Sequence, residues 1–217
     1  MSTDNRLTAR QAAAEQTKQK LLAAAVAEFS QRPYDEVTVG GIARAAGVAH
    51  GLVSHHFQGK QGAYVAAVDA VYRQMEAAES SELVVDAVGD RLRQRFRRFL
   101  AFVAANPDTA LNLILASGRD EAFAARREYS ISVVTGWLDL PTGNAAVTVA
   151  LAAFADAAEG LAAEWLRGGR ATSPPTDTAP FSVEAMTEAF LALLAGALRS
   201  AQALDPSLDV RPALALL

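Results

Sequence analysis

The chain contains no cysteine. That excludes disulfides, a thiolate nucleophile and any Cys-ligated zinc or iron–sulfur centre. Histidine is almost as scarce, with three in 217 residues. Two of them, His55 and His56, are adjacent and diverge by ~100° on a helix, so they do not share a metal. No HExxH, no ExxH carboxylate–histidine pair and no phosphate-binding glycine loop is present: Gly40 and Gly41 are followed by no P-loop Lys-Ser/Thr. The inventory therefore points away from an enzyme, a metal site or a cofactor. The polar segment Met1–Lys20 lacks the apolar core of a secretory signal. The longest apolar stretch, Ala145–Leu166, is broken by Thr148, Asp156 and Glu159 and is read as short of the ~20 strongly apolar residues of a membrane span. A soluble, cytoplasmic protein without membrane contact is expected. Positive charge is also in short supply, with 20 Lys+Arg against 24 Asp+Glu and a net charge of −4. Taken over the whole chain, that opposes a nucleic-acid partner, because DNA affinity comes largely from neutralised phosphates.

What is present is aliphatic. Hydrophobic residues make up 51% and aromatics only 7%, so Ala, Leu and Val dominate, and Ala and Leu lead the helix-propensity ranking. The length fits one domain or two small ones. Residues 1–14 read as a polar, fraying arm. From Glu15, apolar residues recur at Leu21, Leu22, Ala25, Val26 and Phe29, one face of a helix. Pro33 breaks it. Thr38 can cap a short helix over Val39–Ala46, and Gly47 suits its stop. A second short helix spans about His50–His56, and a longer one starts near Lys60. Further helices are expected over 84–105, 108–117, 120–138 and 145–167. Ile131–Thr135 favours a strand by propensity, but no second strand exists to pair with it. Gly168–Pro180 reads as a loop, Ser182 as the cap of a last helix to about Ala203, and 205–217 as an irregular tail. About nine helices result, in an all-α fold.

The segment Thr38–Phe57 carries the chemistry. Two short helices joined by a glycine turn form the layout of a helix-turn-helix. Ile42, Ala43 and Ala46 face inward from the first helix, and Val48, Val53 and Phe57 from the second. His50, Gly51, Leu52, Ser54, His55 and His56 face outward, where the helix's N-terminal end can reach base edges in a major groove.

Thr38, Ile42-Ala43, Ala46-Gly47-Val48, Gly51, His56-Phe57 and Lys60 stand in the register of the TetR family of bacterial transcription regulators, which this stretch of about 45 residues resembles. Beyond it the likeness is architectural: chain length, helix number and the acid-Gly-Leu step at Glu159-Gly160-Leu161. Two positions depart from the family pattern. Ala49 stands where a capping Ser is common, and Ser54 where a Tyr is common.

The resemblance implies an N-terminal three-helix helix-turn-helix DNA-binding domain over 1–60. It implies a C-terminal helical ligand-binding and dimerisation domain over 61–217. Thr38, Ser54, His56 and Lys60 would contact phosphates, and His50, Gly51, Leu52 and His55 would face bases. The protein would be a homodimer on a palindromic double-stranded operator, a regulator and in all expectation a repressor, released by a small-molecule effector. Candidate ligand-binding residues are Phe99, Val103, Asn112, Leu113, Phe123, Tyr129, Phe154 and Asp156. The small-residue row Ala153, Ala157 and Gly160, with Leu161, suits close helix–helix approach at the dimer interface.

Two alternatives stay open. The run Arg91–Arg98 is either a solvated face or a patch for an anionic ligand or DNA. The whole chain could instead be a helical ligand-binding or interaction module whose helix-turn-helix no longer reads DNA. The charge objection weakens when it is divided. Residues 1–60 hold seven basic side chains (Arg6, Arg10, Lys18, Lys20, Arg32, Arg44, Lys60) against five acidic ones (Asp4, Glu15, Glu28, Asp35, Glu36), an excess of two.

Overall fold

The computed structural model describes residues 2–79, 87–117, 123–171 and 181–217. Every regular element among them is helical. The chain divides into two compact units. One comprises Met1–Gln74 with Asn112–Ile114, and the other Met75–Leu111 with Leu115–Leu217. The division falls inside a helix, Lys60–Glu79, rather than at residue 60.

In the first unit, α1 (Ser2–Gln31) is followed by a 3-10 turn (Tyr34–Glu36), then α2 (Val39–Ala45), α3 (Gly51–Phe57) and α4 (Lys60–Glu79). Residues 2–14, expected to fray, continue α1. Ala12–Ala14 favour helix, and Gln19 donates to the Glu15 carboxylate one turn back at 2.7 Å. The core is built from Leu21, Ala25 and Phe29 of α1, Ile42 and Ala43 of α2, Val53 and Phe57 of α3, and Tyr64 and Val68 of α4, all buried. Phe29, Tyr34 and Tyr64 form an aromatic trio with ring centroids 5.0–5.9 Å apart.

In the second unit, α5 (Val88–Ala105), α8 (Ala124–Trp137), α9 (Ala145–Ala171) and α10 (Val183–Leu204) are the long helices. Asn106-Pro107 opens α6 (Pro107–Thr109) with Pro in the first turn, as expected. A π-helical stretch, Ala110–Ile114, whose residues 112–114 group with the first unit, and α7 (Leu115–Ser117) follow. Ile131–Thr135 lies within α8, so the strand propensity is overridden. α10 packs on both α5 and α9. Leu92, Phe96, Leu100 and Val103 of α5 meet Met186, Phe190, Leu194 and Leu198 of α10 in the core. At its solvent edge Arg93 pairs with Glu188 (2.9 Å) and Arg97 with Glu184 (3.2 Å). The hydrogen bond between them raises the Arg93 pKa and lowers that of Glu188.

Three expectations change. Residues 168–171 continue α9 instead of beginning a loop, and 172–180 lie outside the described residues, as do 84–86 and 120–122 of two expected helix starts. By length and composition α9 does reach the apolarity of a membrane helix, with mean hydropathy 1.5 over Ala145–Gly168, because Ala, Leu and Val outweigh its few acids. Residues 205–210 are irregular, as expected, but the tail is packed and regains a helical turn at 211–214. Leu208, Val210 and Ala213 are buried, and α11 (Arg211–Leu214) starts with Pro212 in its first turn. Asp205 holds the entry to this segment, accepting from Ser207 (2.6 Å) and from the Asn144 amide (2.9 Å). These bonds keep its carboxyl below the usual range, the one from Ser207 first.

Two glycines are fixed by close approach. A Cβ on Gly62 would strike the Phe57 carbonyl, and one on Gly89 the Leu216 carbonyl, whereas one on Gly136 would meet open space. Gly62→Ala and Gly89→Ala are therefore expected to lose ~1–3 kcal/mol of stability. Gly136→Ala, inside α8, should gain a few tenths to ~1 kcal/mol. Urea unfolding of the three variants checks this order.

Candidate nucleic-acid interface

α2 begins because Thr38 stops the preceding extended chain and caps it. Its backbone is extended (φ −121°), and its hydroxyl oxygen accepts the Gly41 N–H at 3.0 Å. The hydroxyl proton remains available to an outside acceptor. α2 ends in a Schellman arrangement. Val48 N–H reaches back to the Ala43 carbonyl (3.0 Å) and Gly47 N–H to that of Arg44 (3.1 Å). Gly47 adopts φ +67°, where a side chain costs about 1 kcal/mol.

α3 follows with His50 at its N-cap and no side-chain cap hydrogen bond. Val53 and Phe57 are buried and fix its rotation, while Ala46 and Val48 are half-buried. That rotation leaves His50, Gly51, Ser54 and His55 exposed and Leu52 and His56 half-buried, in one continuous stretch. Gln58 (φ +61°) and Gly59 (φ +109°) turn the chain sharply into α4.

Lys60 opens α4 with its ammonium 4.2 Å from the Tyr34 ring centroid, donating to the Asp35 carbonyl at 3.3 Å. Tyr34 in turn donates to Gln61 Oε1 at 2.9 Å. Tyr34 and Gln61 were not singled out from the sequence. The aromatic residue just after Pro33 and the polar residue beside Lys60 were the available signals.

The candidate ligand residues do not converge on one place. Asn112 and Leu113 belong to the first unit, where Asn112 Nδ2 donates to the Ser30 carbonyl at 2.9 Å and Leu113 is buried. Tyr129 is 63% exposed. Val103 and Phe123 are buried in the second unit. Asp156 faces Arg127 across α8 and α9 at 3.5 Å. Phe99 and Phe154 meet the same aromatic cluster, Phe99 through Phe190 (6.3 Å) and Phe154 through Phe96 (5.8 Å). Phe154 also lines a cavity of about 90 Å³ with Phe96, Ile131, Val134 and Leu151. Ala153, Ala157 and Gly160 are exposed on α9, with Leu161 half-buried beside them. Ala153 and Ala157 line a groove of about 330 Å³ whose other wall includes Gly196 and Ala197 of α10. Among the described residues no group of acidic and histidine side chains is placed to hold a metal.

The model of bacterial regulatory proteins of the tetR family matches residues 21–67. Residues 21–67 are a TetR-family module. The chain as a whole has the fold of TetR-family transcriptional regulators, all-α with a helix-turn-helix. A tetR-family transcriptional regulator from Streptomyces coelicolor shares 26% identity with a TM-score of 0.68, over 93% of this chain and 90% of that one. A TetR-like regulator from Rhodococcus sp. RHA1 shares 19% over 82% and 93%, with a TM-score of 0.58. FadR from Bacillus subtilis, solved with stearoyl-CoA, shares 16% over 81% and 96%, with a TM-score of 0.60. No curated protein sequence matches the chain.

Substitution can measure what the Thr38 cap contributes. Thr38→Val should lose ~1 kcal/mol of stability through the missing cap, and Thr38→Ser should keep it. Thermal unfolding of both variants measures the difference.

Proposed function

We propose that the protein is a homodimeric transcriptional regulator, a repressor in its ground state. α3 of each protomer enters a major groove of a palindromic operator, and a small-molecule effector bound in the second unit releases the DNA. The protein acts in the cytoplasm, without cofactor or catalytic step. The observation that carries the reading is the exposed stretch of α3. Six side-chain positions, His50 to Leu52 and Ser54 to His56, lie on a helix held from behind by Val53 and Phe57. Gly51 supports it: a Cβ there would meet nothing within 4 Å, so packing within the chain does not require glycine. Close approach of a partner's surface does. Leu52 suits a thymine methyl, and His50 and His55 suit base edges. Thr38, Ser54, His56 and Lys60 lie where hydroxyl, imidazole and ammonium donors can reach phosphates.

The exposure of α9 supports homodimerisation. It is apolar enough to cross a membrane, yet only 28% of that stretch is buried within the chain. The exposed row Ala153, Ala157 and Gly160, beside Gly196 and Ala197 of α10, lets a second copy approach closely. Two recognition helices would then address half-sites ~34–36 Å apart. The effector would occupy the apolar space around Phe96 and Phe154 in the second unit. It must bind the released state better than the DNA-bound state, or it shifts nothing. The stearoyl-CoA complex of FadR lends support to an apolar or acyl effector, through fold alone.

Selection of a random duplex library with the purified chain tests the reading. The expected product is a palindrome with half-sites about one helical turn apart, bound with an affinity that falls steeply as salt rises. Recovery of no preferred duplex contradicts it. On that duplex His50→Ala should relax base preference at one position per half-site, and Lys60→Ala should weaken all sequences alike. Indistinguishable selection profiles for wild type and His50→Ala would remove His50 from the base readers.

A further inference from the structure

All three histidines of the chain lie on one short element. His50 caps α3, and His55 and His56 occupy its last turn. α3 and its cap hold no Lys, Arg, Asp or Glu. The imidazoles are therefore the only chargeable groups on the helix whose outer stretch is assigned to DNA. The neighbouring elements add little. α2 carries Arg44 alone, and Glu28 of α1, close to Gly41, pairs with Arg32 just beyond that helix. Asp35 and Glu36 lie in the turn before α2, and Lys60 is engaged with Tyr34 and the Asp35 carbonyl. Among the described residues no hydrogen bond or ion pair reaches an imidazole. The ring contact of His55 is with His56, edge to face at 5.0 Å.

We propose that DNA binding by this protein is proton-linked, with His50, His55 and His56 taking up protons as α3 meets the polyanionic duplex. This rests on the reading of α3 as the DNA-contacting helix. Imidazole is the side chain that changes charge between about pH 5 and 8. Protonated, both its nitrogens donate and its charge displaces a counterion from the duplex. Residues 1–60 carry an excess of only two positive charges, and three added protons raise it to five. Two imidazolium rings 5.0 Å apart repel each other, and a phosphate beside them offsets that repulsion. The sign follows from linkage. DNA that stabilises the protonated form raises the titration of the bound imidazole above that of the free one. The added affinity is complete below the free titration and fades as pH rises through the bound one.

The test uses the full chain and the duplex recovered by selection, at fixed ionic strength. Kd should be lower by about tenfold or more at about pH 6 than at about pH 8, since each proton taken up contributes up to tenfold per pH unit. The variant His50→Gln/His55→Gln/His56→Gln should lose that slope, whatever its affinity. Because the chain has three histidines, NMR resolves each imidazole in the wild-type protein without dependence on a variant's folding. Their titrations should move to higher pH when the duplex is added. A flat wild-type profile, an unchanged slope in the triple variant or unmoved imidazole titrations would overturn the proposal. Binding with a flat profile sinks only the proton linkage. Binding to no duplex at any pH sinks the operator reading with it.

Discussion

Seven residues are too few for an α-helix to persist alone in water, because nucleation is costly and most helical stability comes from packing. α2 and α3 are both that length. They exist because Ile42, Ala43, Val53 and Phe57 are buried where α2 packs on α1 and α3 on α2. The same burial fixes which side of α3 faces out. Caps act locally on top of this: Thr38 starts α2, and the left-handed Gly47 closes it and redirects the chain. The reading surface is thus a by-product of a small apolar core, and little on that surface stabilises the fold.

That separation explains the weak charge of the module. A helix held by apolar contacts needs no ion pairs, so its outer positions are free to be chosen for a partner. Here they are Gly, Leu, Ser and His rather than Lys and Arg. Lys60, the nearest permanent cation on α4, is held in place by a ring and a carbonyl and not by a carboxylate. Its geometry is therefore fixed, while among the described residues no ion pair compensates its charge. In the proposed dimer, two modestly charged modules would act together on one duplex.

Local chemistry was legible in the sequence. Thr38, Gly47, Pro107 and Ser182 announce helix ends through interactions within a few residues, and the structure places ends at each. Long-range packing was not legible. The tail after Asp205 has two prolines and no helical period, yet Leu208, Val210 and Ala213 are buried because α5 and α10 leave a surface for them. Asn112 stands among the candidate ligand residues, but its amide bonds to Ser30, 82 residues away. No periodicity reveals such a pairing. The candidate DNA-facing residues share one short helix and its flanks, so they stay together in space. The candidate ligand residues were drawn from four separate segments, and the structure scatters them.

The central claim is that α3, and not another basic surface such as the arginines of α5, meets DNA. Site-specific photocrosslinking addresses it most directly. A photoreactive side chain placed at Leu52 should form an adduct with bound duplex, and one placed at Arg97 should form none. An adduct from position 97 with none from position 52 would contradict the account.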